Sequence, residues 1–79
     1  MQHNKTIPLE QAPIGELLHL VNIQGGKQLT HRLVELGMTP GVTMRILQNS
    51  GGPLLIAVRE SRIALGRGMA SKVNVTVAA

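Results

Sequence analysis

Residues 32–47, RLVELGMTPGVTMRIL, constrain this chain more than any other stretch, because three signals follow one another without a gap. Leu29, Leu33 and Leu36 recur at i, i+4 and i+7, the spacing of one helical face. Gly37 follows the last of them. Glycine takes the left-handed conformation at a helix C-terminus without a Cβ clash, and Pro40 cannot continue the helix. Pro40-Gly41 reads as a tight turn. From Val42 the period falls to two: Val42, Met44 and Ile46 alternate with Thr43, Arg45 and Gln48, interrupted by Leu47. The run predicts a short helix over residues 27–36 that stops, turns and enters a strand.

The rest of the chain reads mostly as strand. Gly15 opens a strand over residues 16–23, with Leu18 and Leu20 on one face and Leu17, Val21 and Ile23 on the other. Gln24-Gly25-Gly26 breaks it. NSGGP at 49–53 has the composition of a hairpin loop, and Pro53 can start a strand, where its missing N–H costs little. Residues 54–59 are apolar on both faces and read as a buried or partner-covered strand. Glu60-Ser61 is expected to turn, residues 62–65 to form a strand with Ile63 and Leu65 inward, and residues 66–71 to form a loop or a helical turn. Val73, Val75 and Val77 mark the last strand. The expectation is a mostly β fold with one short helix and about five strands, closed into a small SH3-like β-barrel that removes sheet edges. Residues 1–7 are expected to be a flexible N-terminal segment, and residues 8–79 a single domain.

Within this pattern lies a resemblance. RLVELGMTPG followed by a hydrophobic strand resembles the signature of the FeoA family, ferrous iron transport protein A. IALGRGMASKVNV, residues 63–75, is similar to that family's C-terminal stretch. The resemblance spans roughly residues 9–77. It implies an SH3-like barrel and a cytoplasmic accessory protein that binds and modulates the cytosolic part of a membrane ferrous-iron transporter, placing it at the inner face of the membrane through that partner. Related domains also occur in iron-dependent repressors, so fold alone does not fix the partner. The alternative reading is an SH3-like nucleic-acid-binding or metal-dependent regulatory domain.

Composition narrows these options. The chain of 79 residues has no Phe, Tyr, Trp, Cys or Asp. An aromatic-lined groove for proline-rich peptides cannot be built, and neither can an aromatic stacking platform for single-stranded nucleic acid. No nucleic-acid partner is therefore expected. Thiolate metal sites and disulfides are excluded, and no apolar run approaches the length of a membrane span. Met38, Met44 and Met69 read as adaptable fillers of an aromatic-free core.

Candidate sites are few. The four carboxylates, Glu10, Glu16, Glu35 and Glu60, are far apart, and no nucleophile has a base beside it, so the reading is not an enzyme. Gly25-Gly26 and Gly51-Gly52 lack the Lys-Ser/Thr that completes a phosphate loop. No cofactor is required. His31 and Glu35, at i and i+4 on one helix face, are the metal candidates, with weak divalent binding as the expectation. His3 could join the terminal amine in holding copper(II) or nickel(II). The formal net charge is +4, and the basic residues are scattered. A barrel could nevertheless gather Arg45, Arg59 and Arg62 on adjacent strands. With Leu47 and Leu55 on the second faces of their strands, these five are the candidate partner-binding residues. Self-association stays open.

Overall fold

In the computed structural model, which describes residues 5–78, nine short elements surround one apolar core. They are β1 (Ile7–Pro8), a 3-10 turn (Leu9–Gln11), β2 (Leu18–Ile23), α1 (Lys27–Glu35), β3 (Thr43–Gln48), β4 (Leu54–Val58), β5 (Ser61–Leu65), α2 (Arg67–Ala70) and β6 (Val73–Val77). The paired strands are all antiparallel, in one sheet of order β1-β6-β2-β3-β4-β5. Residues 1–4, including His3, lie outside the described residues.

The sheet is mostly β as expected, but it has six strands rather than five and is not closed into a barrel. Closure would require β5 to pair with the far edge. That edge is β1, two residues long, and Pro8 has no N–H to donate. Ile7 pairs with Val75 and Pro8 with Asn74, which extends the sheet by one strand at the position where the N-terminal segment was expected to end. There are also two α-helices, not one. The second is the single turn α2 within 66–71, which buries Ala70.

Two β-bulges break the apolar alternation, one in β2 and one in β3. In β2, Leu20 pairs with Val75 but Asn22 pairs with Asn74, so Val21 is an extra residue. The phase then flips. Ile23, read on the face opposite Leu18 and Leu20, packs against the same core as they do, while Val21 is 39% exposed. In β3, Ile46 pairs with Ile56 and Gln48 with Leu55, leaving Leu47 as the extra residue, also 39% exposed. A bulge shifts the period-two register by one residue, which simple alternation cannot anticipate.

Residues 27–36 behave largely as read. The helix ends at Glu35, and Gly37 has φ +92°. The Gly37 amide donates to the Val34 carbonyl and the Met38 amide to the Leu33 carbonyl, both at 2.9 Å. This is the Schellman arrangement, and Leu33 and Met38 are both fully buried. Leu36, expected on the core face, is instead 38% exposed. Met38 fills the place beyond Leu33 because the left-handed turn at Gly37 carries the chain back over the helix end. After it, the Val42 amide donates to the Thr39 carbonyl at 3.0 Å across Pro40-Gly41, with Gly41 at φ +91°.

Candidate functional site

The sheet's outer face carries the expected partner-binding residues only in part. In β4, Leu54, Ile56 and Val58 are buried, while Leu55 and Ala57 are half-buried on the opposite side. Ala57 pairs with Arg45 on one side and Arg62 on the other. Leu55 pairs with Gln48 and with Ala64. The outer face of β3, β4 and β5 is thus a grid of two rows, Arg45–Ala57–Arg62 and Gln48–Leu55–Ala64. The Leu47 bulge lies at its edge.

Arg59 does not join this face. It stands in the two-residue turn between Val58 and Ser61, one position earlier than the turn read from the sequence. Its φ is +55°, the left-handed region that a non-glycine residue rarely adopts. Its guanidinium reaches back, Nε to the Gly37 carbonyl and Nη2 to Thr39 Oγ1, each at 3.4 Å. It lines an open groove with Thr39, Pro40, Gly41, Val42 and Thr43. Arg59 therefore bridges the β4–β5 turn to the end of α1.

The three arginines are near in the fold but divided in what they touch. Arg45 donates from Nη1 to the Gly15 carbonyl at 2.8 Å. Arg62 makes no side-chain hydrogen bond or ion pair among the described residues. The sequence reading missed a fourth arginine with a structural part. Arg67 donates to Asn49 Oδ1 and, at 3.2 Å, to the Gly52 carbonyl. Asn49 Nδ2 in turn donates to the Glu10 carbonyl at 3.1 Å, so the β3–β4 loop is tied to both α2 and the 3-10 turn. Nothing in the spacing of 10, 49 and 67 could have signalled this.

Ile14 was also missed. It is 55% exposed, more than any other large apolar residue among those described. The Gly15 amide donates to the Ile46 carbonyl at 2.9 Å, which brings the Ile14 turn to the bulged end of β3. An apolar residue between Pro13 and Gly15, in a segment too short to bury it, was the available signal.

His31 and Glu35 do come together. His31 Nδ1 is 3.8 Å from Glu35 Oε2, with the two side chains 76% and 67% exposed. No group of three or more His, Cys, Asp or Glu is gathered among the described residues. His31, but not Glu35, lines a shallow, largely apolar depression with Gly25, Lys27, Thr30 and Val34. Lys27 lies one turn from His31 on the same face, and its charge opposes a bound cation.

Among the described residues, no helix is long and apolar enough to cross a membrane. What the geometry defines is a small, mostly β domain of SH3-like kind with an open sheet and a partly apolar outer face. Its family is given by residues 7–77, which match the FeoA domain, and the chain belongs to that family. A provisionally named Fe(2+) transport protein A of Methanocaldococcus jannaschii is 37% identical over 68 residues, covering 86% of this chain and 83% of that one. The crystal structure of an iron uptake regulatory protein, FeoA, superposes with a TM-score of 0.82 at 39% identity, covering 90% of this chain and 95% of the other. FeoA from Stenotrophomonas maltophilia, solved with zinc and described as a prokaryotic SH3 domain protein, gives a TM-score of 0.75 at 29% identity, covering 85% and 86%. A manganese-dependent transcriptional repressor shares the fold at a TM-score of 0.86 and 16% identity. Iron transport is thus the context of the family, and its members carry transport names rather than enzyme names.

Proposed function

We propose that this protein is a small cytosolic accessory module that docks on the cytosolic part of a membrane ferrous-iron transporter and modulates it by protein–protein contact. Membership of the FeoA family, with a relative named for Fe(2+) transport, supports a transporter as the partner. The observation that carries the docking mode is the outer face of β3, β4 and β5. There Leu55 is half-buried, Leu47 is exposed, and Arg45 and Arg62 flank Ala57, while Ile14 is exposed in the turn whose Gly15 bonds to Ile46. Apolar side chains rimmed by charge on an uncovered sheet face suit a partner surface. The chain contributes no catalytic group, and the transported ion belongs to the partner.

Affinity capture from native membranes, with the captured proteins identified by mass spectrometry, tests this reading. The parent chain is expected to retain a ferrous-iron transporter, and Arg45→Glu and Leu47→Asp to lose it while their circular dichroism and melting temperature stay close to the parent's. Leu47 projects from a bulge, so an exposed substitution there should change stability by less than about 0.5 kcal/mol. Undiminished capture by both variants would place the contact elsewhere.

A further inference from the structure

The open sheet leaves β5 with a neighbour on one side only. Its register shows which main-chain groups are free. Val58 pairs with Ser61 across the two-residue turn, so these two exchange both hydrogen bonds, and bonded and non-bonded pairs then alternate along the ladder. Ser61, Ile63 and Leu65 face β4 with their N–H and C=O groups. Arg62 and Ala64 face away from it. Among the described residues no other backbone group bonds to either of them. Their side chains stand on the exposed outer face.

We propose that the free edge of β5 is a strand-addition site, at which an extended acidic segment of a partner protein pairs with the main-chain groups of Arg62 and Ala64. The proposal rests on the docking reading above and gives it a mode. Charge selects the occupant. Arg62 is the arginine of the outer face whose guanidinium has no partner among the described residues, since Arg45 is held by Gly15 and Arg59 by Gly37 and Thr39. A carboxylate on the added strand, at the position beside Arg62, would pair with it across the new ladder. The same charge disfavours a second copy of this chain. Two β5 strands pairing antiparallel about Ile63 would bring two Arg62 side chains onto one face as diagonal neighbours, with no carboxylate on β5 to separate them.

The chain's composition makes the test simple. It contains no Trp, Tyr or Phe, so a single Trp at the end of a synthetic peptide reports only the peptide. The probe is an alternating Glu-Val peptide about seven residues long, enough to span β5. It is compared with the same peptide carrying Lys in place of Glu. Fluorescence anisotropy on the whole chain should show binding of the acidic peptide and at least about tenfold weaker binding of the basic one. Amide exchange followed by NMR should slow at Arg62 and Ala64, while Ile63, already bonded to β4, changes little. Ala64→Pro removes an edge N–H without touching a bond to β4 and should abolish binding. Arg62→Glu should reverse the preference between the two peptides, and it keeps the test alive if the proline variant does not fold. Equal binding of both peptides, protection elsewhere than at the β5 edge, or a dimer in solution that is lost in Ala64→Pro would each overturn the proposal. Membrane capture separates it from the broader reading. If Ala64→Pro folds and still captures the transporter while Arg45→Glu does not, the outer face is the contact and strand addition is wrong. If neither substitution affects capture, the docking surface falls as well.

Discussion

The Met38 amide donates to the Leu33 carbonyl at 2.9 Å, and both side chains are wholly buried. This one bond joins the end of the helix to the start of the loop that leads into β3. The same carbonyl also accepts from the Leu36 amide at 3.0 Å, and the Met38 bond places two core residues, five apart in sequence, side by side. The arrangement depends on the left-handed turn at Gly37 between them.

Gly37→Ala is therefore expected to destabilise the domain by about 1 kcal/mol through backbone strain. A methyl group at Gly37 would come no closer than 3.6 Å to its neighbours, so crowding adds nothing. Urea denaturation should show a lower midpoint with an unchanged slope. An unchanged midpoint would mean that the turn relaxes freely.

Leu33→Ala empties the centre of the same motif. Its cost is expected to be about 2–5 kcal/mol, a large part of the stability of so small a domain. Loss of cooperative thermal unfolding, or a melting temperature many degrees lower, is the expected readout.

Arg59 separates strain from contact. Arg59→Ala keeps the unfavourable φ and loses the bonds to Gly37 and Thr39, whereas Arg59→Gly loses the same bonds but relieves the φ. The glycine variant should be the more stable of the two by about 0.5–1 kcal/mol. Paired melting curves decide it, and the reverse order would refute a strained turn.

Asn49 is expected to matter more than its place in a loop suggests. Asn49→Ala removes the acceptor of Arg67 and the donor to Glu10, at a cost of about 1–2 kcal/mol. Asn49→Asp keeps the acceptor and should cost less.

His31 and Glu35 are expected to hold iron(II) no more tightly than an exposed two-ligand site does, with water completing the shell. Anaerobic calorimetry should find no stoichiometric micromolar site. Such a site, lost in His31→Ala and Glu35→Ala, would give the pair a metal-binding role.

The sequence alone determined the elements whose signal is local. Helix α1 and its stop, the Pro-Gly turn, the position of β4, the inward set Ile63 and Leu65, and the final valine strand all follow from residue type and short-range spacing, because backbone preference and apolar period act within a few residues. The burial of Met38 and Met44 and the packing of Met69 against the core also followed from a core without aromatic residues. The tertiary structure decided the rest. Whether the sheet closes depends on β5 meeting a strand far away in sequence, and the two-residue β1 cannot supply a ladder there. The bulges at Val21 and Leu47 depend on the opposing strand having one residue fewer, so neither is written in the strand that carries it. Arg45, Arg59 and Arg62 looked equivalent along the chain. Folding gave Arg45 to Gly15 and Arg59 to the end of α1, and left Arg62 unpaired among the described residues beside a free edge, because a long side chain bonds with whatever acceptor the fold brings within its reach.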